Sequence, residues 1–141
     1  MRKLMGLVEF EFNCKHDMLC HILASMRHHN VVLPKIQKVN FSMRHSSPNF
    51  IEALIWFLYK HKTLVNFRIH NALFATLDQL SRFYGAIISL PCLSEIVLEN
   101  CSICDRLDKL LEIRFSDELK RKGITCNGQV KSMRFDPDNN H

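Results

Sequence analysis

Apolar residues recur along this chain in one six-residue figure: an apolar position, two free ones, an apolar one, one free, an apolar one. It occurs as Leu7-Val8-Glu9-Phe10-Glu11-Phe12, Ile36-Gln37-Lys38-Val39-Asn40-Phe41, Leu64-Val65-Asn66-Phe67-Arg68-Ile69 and Leu93-Ser94-Glu95-Ile96-Val97-Leu98. The starts lie 29, 28 and 29 residues apart, a period that points to stacked repeats. Within each figure the last apolar positions alternate with polar ones, as in Phe10 and Phe12 between Glu9, Glu11 and Asn13; that alternation predicts a strand with one buried face. A helical stripe follows each strand. Met18, Leu19, Ile22, Leu23 and Met26 share one face of a helix, and Phe50, Ile51, Leu54, Ile55 and Leu58 repeat the spacing. Leu77, Leu80, Phe83, Ile87 and Ile88 form a looser third stripe, and Leu107, Leu110 and Leu111 begin a fourth. Asp17, Ser47-Pro48 and Thr76 are the start signals expected of the first three helices.

Other landmarks keep this phase. Leu33-Pro34 and Leu90-Pro91 stand just before the second and fourth figures. Leu93, Ile96, Leu98, Cys101 and Ile103 spell L-x-x-L-x-L-x-x-N/C-x-L in full. The third copy reads Leu64, Phe67, Ile69, Ala72 and Phe74, with Ala72 at the Asn/Cys position, where the first and second copies carry Lys15 and Arg44. On these residues the chain resembles the ribonuclease-inhibitor-like leucine-rich repeats over roughly residues 7–113. The resemblance implies an α/β solenoid of about four strand–helix repeats, with a parallel sheet on the concave side and helices on the convex side. It also implies a role in binding proteins, since such arrays occur in NACHT-type innate sensors, F-box substrate receptors and ribonuclease inhibitors. A unit of one strand and one helix cannot bury its own apolar face, and stacking units supplies the core.

The ends are read less directly. Residues 1–6 either finish a preceding helix or act as a minimal cap, and four repeats look like the terminal piece of a larger receptor-like protein. Past residue 113 two readings compete. The fourth helix can run on to Lys122 and stop at Gly123, or Leu110, Ile113 and Phe115 can form a shortened fifth strand before a closing helix at Asp117 to Lys122. The alternation Ile113-x-Phe115 favours the second, with a short edge strand after Gly123. The repeat domain is then placed at residues 1–126, with a shortened closing unit near 110–126. The polar stretch from Asn127 to His141 is expected to be a loose tail.

Composition changes this picture little. The chain has 141 residues, of which 47% are apolar and 23% charged, the mix of one globular domain. The longest apolar run, Ala53 to Tyr59, is far too short to span a membrane, and the N-terminus lacks a secretory signal pattern. A cytoplasmic protein with reduced thiols at its 6 cysteines is expected. A formal charge of +5 permits an acidic partner without demanding one. Lys120-Arg121-Lys122, Lys131 and Arg134 form a basic C-terminal region, but Asp117, Glu118, Asp136 and Asp138 interleave with them, which argues against nucleic acid.

If the repeats stack, the free strand positions share the concave face. They are Glu9, Glu11 and Asn13 in the first unit, Lys38, Asn40 and Ser42 in the second, Asn66, Arg68 and His70 in the third, and Glu95, Val97 and Glu99 in the fourth. Their signs run acidic, basic, basic, acidic, and this row is the candidate partner-binding surface. Catalytic chemistry finds no support. No nucleophile triad, P-loop, G-x-G-x-x-G or H-E-x-x-H string is present, and Gly6, Gly85, Gly123 and Gly128 are scattered. His28-His29 beside Asn30 fit a solvated helix end. Cys101-Ser102-Ile103-Cys104 lacks a second pair for zinc, and Cys101 already has a place in the repeat. Cys14, His16, Cys20 and His21 are ligand types in eight residues, yet a strand end and adjacent helix positions close a tetrahedron awkwardly. The expectation is therefore a non-enzymatic module with no cofactor and no metal, binding a protein of unknown identity. The alternatives are a substrate-recruiting adaptor of a ubiquitin ligase and a basic nucleic-acid-binding domain. The open first and last strands can also pair with another copy.

Overall fold

The computed structural model describes residues 6, 8–14, 18–43 and 48–133. Residues 1–5 of the expected cap at 1–6, the Asp17 and Ser47 start signals, Lys15, Arg44 and the tail from residue 134 lie outside the described residues.

Strands and helices alternate along the chain. β1 (Glu9–Cys14) leads to α1 (Met18–His28), β2 (Lys38–Met43) to α2 (Pro48–Lys60), and β3 (Asn66–His70) to the short β4 (Leu73–Phe74) and α3 (Leu77–Ile88). β5 (Glu95–Glu99) is followed by β6 (Ser102–Ile103) and α4 (Lys109–Arg121), and β7 (Thr125–Gly128) and β8 (Lys131–Ser132) close the described chain. The fold is mixed α/β. The long strands form one parallel five-stranded sheet in the order β1-β2-β3-β5-β7, so β1 and β7 are its edges. Phe10 pairs with Val39, Val39 with Phe67, and Phe67 with Ile96. A single entry position repeats along the sheet: Val8 carbonyl accepts Gln37 N–H at 2.7 Å, Gln37 carbonyl accepts Val65 N–H at 2.7 Å, and Val65 carbonyl accepts Ser94 N–H at 2.8 Å.

The apolar strand positions Val39, Phe41, Phe67, Ile69, Ile96 and Leu98 are buried on one side of this sheet, with Leu54, Phe57, Leu58, Leu80, Phe83 and Ile87 from the helices. Rings knit the two layers together. Phe41 meets Phe57 at 5.5 Å and Phe67 at 6.3 Å, and Phe83 lies 6.3 Å from Phe67 and 5.0 Å from Phe74. Each fully enclosed phenyl contributes about 1.5–3 kcal/mol by leaving water. Thr76 caps α3 as expected, its Oγ1 accepting Gln79 N–H at 3.1 Å.

The last apolar positions of the pattern, Phe74 and Ile103, belong to a second sheet that the sequence did not announce. β4, β6 and β8 pair in parallel, with Leu73 against Ser102 and Ser102 against Lys131. The chain swings from one sheet to the other through Asn71 and Asn100, at φ 68° and 52°. Asparagine tolerates this left-handed region better than other side-chain-bearing residues, and the Asn100 amide also donates to Asn71 Oδ1 at 2.5 Å. Cys101, one residue on, is buried, with its thiol directed at the carbonyls of Ile69 and Glu99.

The C-terminal expectation is corrected. Leu110, Ile113 and Phe115 are not a fifth strand but parts of one helix, α4, whose start is capped by Asp108 accepting Leu110 N–H at 2.9 Å. Leu111, Phe115 and Leu119 fall at i, i+4 and i+8 and face inward, while Leu110 and Ile113 are 54% and 56% exposed. The helix ends in a Schellman turn: Gly123, at φ 73°, donates to Lys120 carbonyl, and Ile124 donates to Leu119 carbonyl. The short edge strand expected after Gly123 is β7, the fifth strand of the sheet, and the structured chain runs past 126. Val130, inside the expected loose tail, is 1% exposed, and Lys131–Ser132 pair with β6.

Candidate binding face

Alternation along a strand sends the residues between the buried ones to the other side of the sheet. Register then sorts the candidates into rows that cross β1, β2, β3 and β5. The first is Glu9, Lys38, Asn66, Glu95; the second is Glu11, Asn40, Arg68, Val97; the third is Asn13, Ser42, His70, Glu99. The twelve positions are thus neighbours in one grid. At its centre Lys38 and Arg68 stand on one diagonal of a square and Asn40 and Asn66 on the other.

Ion pairs cross the strands within this grid. Lys38 Nζ lies 3.5 Å from Glu9, and Arg68 Nε lies 3.6 Å from Glu99. All four side chains are at least 46% exposed, so water and salt screen both pairs, and each contributes about 0–1 kcal/mol. Ser42 Oγ lies 3.3 Å from His70 Nδ1, and Ser94 hydroxyl donates to Val65 carbonyl at the edge of the grid. Glu9, Lys38, Asn40, Asn66, Arg68 and Glu95 line a shallow depression of about 220 Å³. Val39 and Phe67 form its floor with their main chain, because their side chains are buried on the other side.

Val97 departs from the expected row. It is only 7% exposed, flanked in register by Arg68 and Asn127, so it offers a partner little surface. Its β7 neighbour Asn127 fell within the expected tail, and without that neighbour Val97 looks like an exposed position. Glu11 and Asn13 keep their register places beside Asn40 and Ser42.

The cysteine and histidine candidates separate in space. Cys101 is buried while Cys104 is exposed, and burial pushes the Cys101 thiol up to about 11, away from the thiolate needed for redox or metal chemistry. Of the residues weighed for zinc, His16 and the side chains of Cys14 and Cys20 lie outside the described residues. His28 and His29 are exposed and meet edge to face at 4.9 Å. Among the described residues no three His, Cys, Asp or Glu side chains converge in a metal-holding group. No helix among them is long and apolar enough to cross a membrane.

Two buried polar groups carried no signal in the sequence pattern. His61 is 1% exposed, and Tyr84, 3% exposed, donates to both oxygens of Glu112 at 2.6 and 2.8 Å. Both tie neighbouring elements together. Compared with protein-family models, curated proteins and solved structures, the chain matches none.

Proposed function

We propose that the chain is a short leucine-rich repeat solenoid of the ribonuclease-inhibitor-like kind, and that it holds a protein partner on the concave face of its long sheet without catalysing a reaction. The observation that carries this reading is the grid itself. Strand positions separated by 28 or 29 residues are direct neighbours across β1, β2, β3 and β5, and they bring charged, amide and hydroxyl groups into one exposed surface. Among the described residues the helices do not cover this surface, since they pack on the side that holds Phe41, Phe67 and Ile96. A parallel sheet is ordinarily covered on both faces, so an uncovered polar one is a surface built to meet something else. A cytoplasmic setting and a role as the recognition part of a receptor-like or ligase-adaptor protein accord with this reading.

The test uses the intact chain. Lys38→Glu with Arg68→Glu alters two exposed side chains in screened pairs, so the variant melts within a few degrees of the parent. Proteins retained from native extract by the parent and lost on the variant support the face as the binding surface. Identical retention, with the remaining polar residues of the grid also replaced, rules it out.

A further inference from the structure

Resting on that reading of the face, we infer that the segment it holds is an extended stretch of protein carrying one carboxylate between two basic side chains. The first row of the grid reads acid, base, amide, acid: Glu9, Lys38, Asn66, Glu95. Behind its middle stand Asn40 and Arg68, which complete a square of two cations and two amides with no acid among them. Every corner of the square offers hydrogen-bond donors suited to a carboxylate. The acids stand only at the ends of the row, where they repel a second carboxylate and attract an ammonium or guanidinium.

The distances fit one backbone arrangement. Three interstrand spacings separate Glu9 from Glu95, about 14 Å in total. In an extended peptide, side chains at i, i+2 and i+4 point the same way and span about 13–14 Å. A Lys-x-Glu-x-Lys segment lying across the strands therefore sets its outer cations over Glu9 and Glu95. Its central carboxylate falls midway along the row, between Lys38 and Asn66, and faces Arg68 from the row in front. The existing Lys38–Glu9 contact, 3.5 Å long and exposed, is loose enough to be shared with an incoming pair of opposite charges. An acidic segment without flanking bases adds negative charge beside Glu9 and Glu95, and a basic one meets Lys38 and Arg68.

Two capped peptides test this, one of the order Lys-Ala-Glu-Ala-Lys and one of the order Glu-Ala-Lys-Ala-Glu. Each is titrated to millimolar concentration at low ionic strength into the full chain labelled for amide NMR. The expected result is that the first peptide shifts the amides of Lys38–Ser42 and Asn66–His70 and binds there several-fold more tightly than the second. In Lys38→Glu with Arg68→Glu the preference disappears or inverts. Equal binding by both peptides on these amides, or tighter binding by the second, overturns the inferred charge order but leaves the face as a binding surface. Shifts confined to other elements, or none with either peptide, also overturn it. The face itself falls only if the native partner is retained by the variant stripped of the whole grid.

Discussion

His61 shows how one side chain ties two turns of the chain together. Its Nδ1–H donates to Phe57 carbonyl at 2.7 Å, and its Nε2 accepts Leu33 N–H from the preceding turn at 2.9 Å. The ring stacks on Phe57 at 3.9 Å and is almost wholly enclosed. Accepting at Nε2 requires the neutral imidazole, and burial holds its pKa below the ordinary 6.5. The unfolded chain then binds this proton more readily than the folded one, so stability rises with pH between the lowered folded value and 6.5. The His61 contribution is complete above that window and is lost as the pH falls through it. Urea midpoints measured across this range should show a slope in the parent that flattens in His61→Phe. The phenyl keeps the stack but orphans Leu33 N–H, so the variant should be about 1–3 kcal/mol less stable at neutral pH. An unchanged slope in the variant would assign the pH dependence to other groups.

At the scale of elements, helices meet through paired side chains as well as apolar stripes. Between α2 and α3, Glu52 takes two bonds of 2.7 Å from the Arg82 guanidinium and one of 2.9 Å from Gln79, and the Arg82 contact brings its pKa down to about 2. Between α3 and α4, Tyr84 and Phe115 stack at 3.8 Å while the Tyr84 hydroxyl binds Glu112. Burial pushes the Glu112 carboxyl upward; the Tyr84 hydrogen bond opposes the shift and the nearby Asp108 charge adds to it. Tyr84→Phe removes that donor and should cost about 1–2 kcal/mol, whereas Glu112→Gln keeps an acceptor, removes the confined charge and should be neutral or stabilising. Thermal melts of the two variants separate these outcomes, and equal losses would mean that only packing matters there.

What the sequence displayed followed from periodicity. The strand centres at Phe10, Val39, Phe67 and Ile96 and the first two helices have clean two-fold or 3.6-fold patterns, the third helix a looser one, and the grid of Lys38, Asn40, Asn66 and Arg68 follows from the strands. α4 did not, because Ile113 is apolar yet solvent-facing and mimics a strand beside Phe115. The two-residue strands β4, β6 and β8 are too short to show a period, and only their partners hold them extended. Val97 was misplaced for the same reason: a neighbour in β7 decides its exposure, and local pattern does not encode it.

Across the molecule, each long strand pairs with the strand beside it and ring contacts join Phe41, Phe67 and Phe83; on the proposed solenoid reading, in which each unit rests on its neighbours, stability passes from one unit to the next. The last pairing in the sheet differs in length from the others. Leu98 pairs with Gly128, 30 residues on, but Ser102 pairs with Lys131, only 29 on, so the final turn has one residue fewer between its two strands. Gly128 absorbs the difference at φ 86°, taking the left-handed step that Asn71 and Asn100 make later in their own turns. It also lies so close to β5 that a Cβ would sit 2.0 Å from the Leu98 carbonyl oxygen. Gly128→Ala therefore meets both a disfavoured backbone region and a main-chain clash, a combination that costs about 1–3 kcal/mol or detaches the strand. Detachment frees the amides of Thr125, Lys131 and Met133, which bond to the Ser94, Cys101 and Ile103 carbonyls. Hydrogen exchange on Gly128→Ala should speed up at those amides while Phe41, Phe67 and Ile69 keep their protection, because the loss stops at the layer that β7 covered. Faster exchange spread evenly over β2 and β3 would instead make the sheet one cooperative unit, with its far edge as much a part of the proposed binding face's stability as its centre.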